Sequence, residues 1–385
     1  IIDSLYPPGS AALDADIRNT LRTGLYQLFF LDRVPEYAVV SEAVAIAKKT
    51  RMAAAALVNA VLRNAVRARR EIAYPDPDGD PVGHLSVFHS HPRWLVERLI
   101  AVMGVPEATA FCKADNEIPP LTVRVNSLKA DRRAVEEELR KLGLASRPTT
   151  LSPDGLDIHG NADALWKTAC FREGRIQIQD EGSQLISHIA GPIPGDSVLD
   201  LCAGTGGKTH HLAQLMRNRG RIVACDISAE KIQALRENAA RLGVSIVETR
   251  TADAASDALA GERFDRVLVD APCSGLGTLR RNPEIRWRLT PERLRSLAEL
   301  QGAILHAAAD CVKPAGTLVY VTCSPLPEEN EAVVLPFLKR YPEYRLSRPA
   351  APAAAKLLCG DGFLRTLPHR HGTDGFFAAC LARKG

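Results

Sequence analysis

Short apolar runs separated by amphipathic segments constrain the fold of the second half of the chain most strongly. From about residue 176, the predicted strands are the runs 198–201, 222–225, 246–249, 267–269 and 318–321. One of the intervening helical patterns has its apolar residues at Ile232, Leu235, Ala239 and Leu242. Such alternation predicts an α/β fold with a doubly wound, mostly parallel sheet covered on both faces. Sheets of this kind bind their ligands beyond the carboxyl ends of the strands.

The first 72 residues follow a helical period instead. Apolar residues recur there at three- and four-residue steps, as at Ile17, Leu21, Leu25 and Leu28. We therefore expect a small all-α domain over residues 1–72. A stretch rich in proline, aspartate and glycine follows and predicts a linker over residues 73–85.

A mixed pattern lies between the linker and the predicted sheet. His91-Pro92 starts a helical pattern, 121–125 alternates like a strand, and 133–142 is a charged amphipathic helix. This order predicts a small α/β module over residues 86–175, followed by the doubly wound domain over 176–385. The segment around 349–355, rich in alanine and proline, is expected to be a loop.

Charge and cysteine content narrow the classes of function. The 385-residue chain has a net charge of +4, which permits a polyanionic partner. No apolar run approaches the ~20 residues of a membrane span, so we expect no membrane partner. Nine cysteines without C-x-x-C spacing predict no metal site and fit a reducing cytoplasm. All except Cys273 and Cys323 are expected to be small buried hydrophobic residues.

A glycine turn after the first predicted strand indicates a cofactor site. The sequence reads Asp200-Leu201-Cys202-Ala203-Gly204-Thr205-Gly206-Gly207-Lys208, and a helix follows. Glycines let the backbone approach a ligand, and a helix N-terminus offers free N–H groups. The next strand ends at Asp226, which can bind the hydroxyls of a ribose. Asp253, after the third strand, can contact an adenine edge.

The spacing of this turn favours S-adenosylmethionine over NAD or a nucleoside triphosphate. The third glycine of the G-x-G-x-x-G dinucleotide motif is absent, and Cys202 replaces the first glycine of a P-loop. Asp200 disfavours a pyrophosphate and suits the positively charged amino-acid end of S-adenosylmethionine. A nicotinamide oxidoreductase remains the alternative class of enzyme. Cofactor contacts are expected at Cys202, Ala203, Gly204, Thr205, Gly206, Gly207, Lys208, Asp226, Asp253 and Asp270.

Two cysteines lie just beyond the ends of the last two predicted strands. They stand in Asp270-Ala271-Pro272-Cys273-Ser274 and in Thr322-Cys323-Ser324-Pro325. Carbon 5 of a pyrimidine becomes nucleophilic only when something adds to carbon 6, and a thiolate is a strong nucleophile for that addition. A second base or thiol can then assist release. Asp270 could bond the amino group and ring nitrogen of the pyrimidine.

Two arginine clusters are candidates for contacts with a nucleic acid. The first contains Arg63, Arg67, Arg69 and Arg70. The second follows Cys273 and contains Arg280, Arg281, Arg286, Arg288, Arg293 and Arg295. We expect Arg63, Arg67, Arg280 and Arg281 to bind the phosphates of such a nucleic acid. The alternative for either cluster is a solvated helix face.

At these residues the chain resembles the RsmB (Sun/Fmu) family, which methylates a cytosine in small-subunit ribosomal RNA. The matching stretches are Gln179-Asp180-Glu181-Gly182-Ser183-Gln184, 200–208, 270–275, Arg281-Asn282-Pro283-Glu284, Thr322-Cys323-Ser324, Glu328-Glu329-Asn330 and Asp374-Gly375-Phe376-Phe377. The resemblance implies a Rossmann-like S-adenosylmethionine-dependent domain over 176–385 that methylates cytosine at carbon 5.

The resemblance also implies roles for particular residues. Cys323 would be the nucleophile, and Cys273 would assist resolution and release. Asp270 would lie beside the methyl group and the target base, and Lys208 near the methionine carboxylate. Asp226 and Asp253 would contact the adenosine.

Residues 1–72 resemble a NusB-like RNA-binding domain, on the match of Glu42-Ala43-Val44 and of Val58-Asn59-Ala60-Val61-Leu62-Arg63. This implies that part of the domain precedes Ile1. It also favours ribosomal RNA over transfer RNA, which is the nearest alternative substrate. A non-catalytic RNA-binding assembly factor is a further alternative, against which the intact Asp270, Cys273 and Cys323 argue. We expect a monomer.

Overall fold

The computed structural model describes residues 1–68, 74–160, 162–256, 261–349 and 351–385. The chain forms two compact units, Ile1–Gly79 and Asp80–Gly385. Among the described residues, no helix combines the length and apolar character that a membrane crossing requires.

The first unit is a helical bundle, as the sequence predicts. Its helices are α1 (Ile2–Leu5), α2 (Ala15–Phe30), α3 (Glu36–Thr50) and α4 (Ala55–Arg67), with 3₁₀ turns at Ser10–Ala12 and Met52–Ala54. Leu21, Ala47, Val58 and Leu62 are fully buried between them. Helices this short are marginal in isolation, so their packing stabilises them. Arg69 and Arg70, in the first predicted arginine cluster, lie outside the described residues.

Two helices open the second unit: α5 (Pro81–Phe88) and α6 (Arg93–Ala114), the latter interrupted at Gly104. The expected linker over 73–85 is therefore too long at its C-terminal end, where residues 81–85 belong to α5. The Asp80 side chain accepts a hydrogen bond from the Gly83 N–H at 2.9 Å, and Pro81 occupies the first turn, so a helix begins there. Both helices pack in one hydrophobic cluster with Leu276 and Leu326, which belong to the doubly wound domain.

A small antiparallel sheet follows. Its elements are β1 (Leu121–Val125), α7 (Arg132–Lys141), β2 (Ala145–Pro148), β3 (Gly155–His159), α8 (Ala162–Leu165), α9 (Ala169–Arg172) and β4 (Ile176–Ile178). The strand order is β2-β3-β1-β4. The expected boundary at residue 175 separates β4 from its own sheet, because Ile178 pairs with Val123 of β1.

Among the described residues, the large sheet has eight strands: seven follow the order β10-β12-β9-β8-β5-β6-β7, and the eighth, β11, pairs with β12. Its strands are β5 (Ser197–Asp200), β6 (Arg221–Asp226), β7 (Val247–Thr251), β8 (Phe264–Asp270), β9 (Val312–Thr322), β10 (Tyr344–Leu346), β11 (Leu364–Thr366) and β12 (Phe376–Arg383). Its helices are α10 (Glu181–Ala190), α11 (Gly207–Leu215), α12 (Ala229–Leu242), α13 (Ile285–Arg288), α14 (Pro291–Ala309), α15 (Glu331–Arg340), α16 (Pro352–Ala355) and α17 (Pro368–His371).

Strands β5 to β9 are parallel and match the five predicted strands, so the predicted α/β fold is confirmed. The sequence did not predict β10, β11 and the antiparallel β12, which pairs Phe377 with Thr322 of β9. The sequence of β12 is a continuous apolar run, and periodicity alone cannot show whether such a run forms a strand or a buried helix. Within the expected loop over 349–355, the structure instead forms α16, which starts at Pro352.

One buried arginine joins the small sheet to the large domain. Arg124 of β1 donates from Nη1 to the Gly207 carbonyl oxygen at 2.8 Å and from Nε to Gln214 Oε1 at 3.1 Å. Burial lowers the pKa of Arg124 to about 9. Since Gly207 begins α11, this contact ties the small sheet to the helix that follows the glycine turn.

Candidate active site

The predicted site residues meet at the carboxyl edge of the large sheet. Strand β5 lies between β6 and β8, so the chain order reverses there and a crevice opens beyond the strand ends. Asp200, Asp226 and Asp270 are the last residues of β5, β6 and β8. Thr322 ends β9, and Cys323 follows it.

The glycine turn after β5 has the geometry that its sequence predicts. Gly204 and Gly206 adopt positive φ angles of 56° and 87°. A Cβ on Gly206 would lie 2.4 Å from the His210 ring, so only glycine fits there. The Gly204 N–H donates to Asp226 Oδ2 at 2.9 Å, which fixes the turn against the end of β6.

The turn and the acidic strand ends fit S-adenosylmethionine. Asp200 is buried; its Oδ2 accepts from the Thr209 hydroxyl at 2.7 Å, and its Oδ1 has no hydrogen-bond partner among the described residues. Burial raises the pKa of Asp200 to about 7. An ammonium group placed against Oδ1 would satisfy that oxygen and favour the ionised form.

The adenosine end has one candidate that sequence reasoning missed. Ile227 is 72% exposed directly after Asp226, where an apolar side chain could pack against an adenine ring. The sequence signal that could have predicted this contact is an apolar residue directly after the acidic residue that ends a strand. Asp253 is exposed and accepts from the Ala255 N–H at 2.9 Å.

Lys208 and Asp270 form an ion pair between the turn and the thiols. Lys208 Nζ lies 2.5 Å from Asp270 Oδ2 and 5.3 Å from the centre of the Phe376 ring. Burial alone would lower the pKa of Lys208, but the Asp270 carboxylate raises it above its ordinary value. The ammonium group is therefore charged at neutral pH.

The structure brings the two predicted thiols into direct contact. The Sγ atoms of Cys273 and Cys323 lie 2.8 Å apart, and the Cys323 N–H donates to Cys273 Sγ at 3.2 Å. Both side chains are partly exposed. The hydrogen bond to Cys323, burial and the charge of Glu329 raise the pKa of Cys273. Of the other cysteines, Cys202 and Cys359 are partly exposed, and the remaining five are buried as expected.

Arg280 and Arg281, both expected to bind RNA, form ion pairs within the protein instead. Nε of Arg280 lies 2.9 Å from one carboxylate oxygen of Asp374, and Nε of Arg281 lies 2.8 Å from the other. Arg281 also reaches Asp180 Oδ2 at 2.9 Å. The side chain of Arg280 is only 6% exposed, so it does not offer the phosphate contact that the sequence suggested. Arg281, at 29%, keeps an accessible edge.

The remaining predicted arginines differ in burial. Arg63 and Arg67 are exposed on α4 and bond to Asn59 and Asn64 of the same helix. Arg286 is 3% exposed and donates to main-chain oxygens of residues 89, 90 and 115. Arg286 therefore holds the turn between α5 and α6. A cluster of charged residues in the sequence does not show that one of its members has such a structural role.

A His–Asp–His cluster lies where the small sheet meets α10 and α11. Nε2 of His188 and Nε2 of His211 lie 2.7 Å and 3.0 Å from the same oxygen of Asp154. These three atoms, each of a type that can bind a metal ion, lie within 4.8 Å of one another. The spacing of cysteines, on which the expectation from sequence rested, carries no information about a cluster of histidine and aspartate. Burial lowers the pKa of His211 to about 3, so its imidazole is neutral.

The mixed sheet, the glycine turn and the acidic strand ends define a Rossmann-like methyltransferase that uses S-adenosylmethionine. The family model "16S rRNA methyltransferase RsmB/F" matches residues 188–382. Models of the ferredoxin-like domain of these enzymes and of the NusB family match residues 91–164 and 9–67. The chain belongs to the RsmB/F family of ribosomal RNA methyltransferases.

Similarity extends over nearly the whole chain. The Bacillus subtilis protein named "Probable ribosomal RNA small subunit methyltransferase B" is 38% identical over 95% of this chain and 82% of its own length. The "Ribosomal RNA small subunit methyltransferase B" of Pseudomonas syringae pv. tomato is 38% identical over 97% and 82%. The crystal structure of PH0851 matches with a TM-score of 0.81 and 33% identity over 99% of this chain and 85% of that chain.

We expect S-adenosylhomocysteine to stabilise the second unit, since a ligand that binds only the folded form raises its unfolding free energy. At about 100 times its Kd the gain is ~2.7 kcal/mol. Thermal melting with S-adenosylhomocysteine and with NAD measures this, and Gly206→Val, which blocks the turn, is the control. Stabilisation of the wild type by NAD alone would contradict the cofactor assignment.

We expect Arg280→Ala to destabilise the second unit by up to about 3–5 kcal/mol, because the buried carboxylates of Asp180 and Asp374 lose one of the two arginines that pair with them. Urea unfolding measures the loss, with the exposed Arg293→Ala as the matched control. The salt dependence of RNA binding should not change. If Arg280→Ala is as stable as the wild type but its RNA affinity depends less steeply on salt, Arg280 contacts a phosphate after all.

Proposed function

We propose that the protein methylates carbon 5 of a specific cytosine in small-subunit ribosomal RNA through a covalent adduct with Cys323. The observation that carries this proposal is the contact between the Cys273 and Cys323 sulfurs beside the Lys208–Asp270 pair. Two adjoining thiols at a cofactor crevice suit a reaction in which one sulfur bonds to the base and the other helps it to leave.

The chemistry follows from how a pyrimidine ring reacts. The Cys323 thiolate adds to carbon 6, and the electron pair of the 5,6 double bond becomes available at carbon 5. Carbon 5 takes up the methyl group that bound S-adenosylmethionine would supply, and S-adenosylhomocysteine would remain as the leaving group. The carbon 5 proton then leaves to water, the double bond re-forms, and the pair of the S–C6 bond returns to Cys323.

Local charge supports different roles for the two thiols. Lys208 carries a positive charge and interacts electrostatically with Cys323, the proposed nucleophile. The raised pKa of Cys273 keeps that sulfur protonated, so it can donate a hydrogen bond to the departing Cys323 sulfur. We propose that Asp270, at the end of β8, accepts a hydrogen bond from the cytosine amino group. This division agrees with the roles that the family resemblance assigns.

The substrate proposal comes from the relatives. Those named ribosomal RNA small subunit methyltransferase B act, by name, on that RNA, and we extend this to the present chain. Exposed Arg63 and Arg67 of α4 and the accessible edge of Arg281 are the proposed phosphate contacts. The target cytosine must leave its stack, at a cost of a few kcal/mol, so a loop nucleotide is favoured. We propose that the enzyme acts as a monomer in the cytoplasm.

We expect Cys273→Ala to accumulate a protein–RNA adduct, because addition and methyl transfer proceed while release is slowed. The assay combines the variant with S-adenosylmethionine and unmodified small-subunit ribosomal RNA, followed by denaturing electrophoresis. The Cys273→Ala/Cys323→Ala double variant is the control and should give no adduct. Transfer RNA in place of ribosomal RNA tests the alternative substrate.

Methyl transfer by Cys323→Ala at the wild-type rate would overturn the covalent mechanism. An adduct that persists in the double variant would show that another residue is the nucleophile. An adduct with transfer RNA and none with ribosomal RNA would replace the proposed substrate class.

A further inference from the structure

A buried glutamate lies behind the turn that carries Cys273. Glu329 has no exposed surface. Its Oε1 accepts from the Ser274 N–H at 2.7 Å and from Gln301 Nε2 at 2.9 Å, and its Oε2 accepts from the Ser274 hydroxyl at 2.5 Å. Gln301 also donates to the Pro272 carbonyl oxygen at 3.0 Å. The residues on both sides of Cys273 are thus held directly or indirectly by one carboxylate.

We propose that Glu329 is a positioning residue for product release: its carboxylate holds the Cys273 turn so that the Cys273 sulfur faces the departing Cys323 sulfur. This rests on the covalent reaction proposed above. The carboxylate does not touch the substrate; it acts on Cys273 through Ser274 and Gln301.

The energetics favour a positional role over a contribution to stability. Burying a carboxylate is costly, and the three donors offset that cost. Hydrogen bonds to an ionised acceptor are short, strong and directional, so they fix the atoms that donate them. The Ser274 hydroxyl also lies 3.2 Å from the Ser324 hydroxyl, which couples the turn after Cys273 to the turn after Cys323.

The neighbouring Asn330 serves the other thiol. Its Oδ1 accepts from the Thr322 hydroxyl at 2.6 Å, and its Nδ2 donates to the Ser324 carbonyl oxygen at 2.9 Å. It therefore holds the residues on both sides of Cys323. Two adjacent residues of one turn each secure a different thiol, so their substitutions should affect different steps.

The charge of Glu329 also supports a role in product release, because it helps to keep the Cys273 thiol protonated. A carboxylate next to the turn disfavours a thiolate on Cys273, and it is one cause of that thiol's raised pKa. Cys273 therefore keeps the proton with which it donates to the departing sulfur. The substitution Glu329→Gln would preserve the side-chain volume while removing both the charge and one acceptor.

We expect Glu329→Gln to reproduce Cys273→Ala. Turnover should fall by up to about 10²-fold, as small misplacements of reacting groups do, while a denaturation-resistant RNA adduct accumulates. The KM for S-adenosylmethionine should not change. Glu328→Gln is the matched control, because Glu328 pairs with Arg98 of α6 and should behave as wild type. Asn330→Ala should instead lose both turnover and adduct.

The outcomes separate this proposal from the covalent mechanism itself. An adduct in Cys273→Ala but wild-type turnover in Glu329→Gln would overturn the role of Glu329 alone. A folded Glu329→Gln variant with neither turnover nor adduct would also overturn it, because the carboxylate would then serve the addition step. If no variant forms an adduct while the wild type methylates, the covalent mechanism fails, and this proposal fails with it.

Ser274→Ala keeps the test decisive if Glu329→Gln does not fold. It removes one donor from the same contact and leaves the carboxylate with the Ser274 N–H and Gln301. Partial adduct accumulation with slower release is expected. A release rate equal to that of the wild type would contradict the proposal.

Discussion

The parallel pairing of β8 with β9 is the constraint on which the site depends. Its register places Asp270 opposite Val321, and the Ala271 N–H donates to the Val321 carbonyl oxygen at 2.9 Å. Both strands therefore end at the same level, and the two turns that follow bring Cys273 and Cys323 together although 50 residues separate them in the chain. A shift of this register would separate the thiols.

Buried polar groups then fix what the strands bring together. Gly277 donates to the Cys323 carbonyl oxygen and accepts from the Gly375 N–H, each at 2.8 Å, and a Cβ on Gly277 would lie 2.1 Å from the Gly375 carbonyl oxygen. Asp374 bonds to both Arg280 and Arg281. The loop after Cys273 is therefore clamped between β9 and the start of β12. Leaving any of these charges unpaired would be costly, which preserves a single arrangement of the site.

The parallel strands and the strand-end site residues could be predicted because they depend on local pattern. Apolar runs mark strands, and the carboxyl ends of parallel strands share an edge, so Asp200, Asp226 and Asp270 had to converge. The roles of Arg280 and Glu329 could not be predicted in the same way. A charged residue looks the same in sequence whether it is solvated or paired, and the partner of Arg280 lies 94 residues away.

The most direct test of the covalent account uses small-subunit ribosomal RNA that carries 5-fluorocytidine. Fluorine at carbon 5 cannot leave as the proton does, so the wild-type enzyme should stop after methyl transfer with the S–C6 bond intact. Mass spectrometry of the digested complex should find the methylated nucleotide on the peptide that contains Cys323. Attachment to the Cys273 peptide, or free RNA from an enzyme that methylates unmodified RNA, would contradict the account.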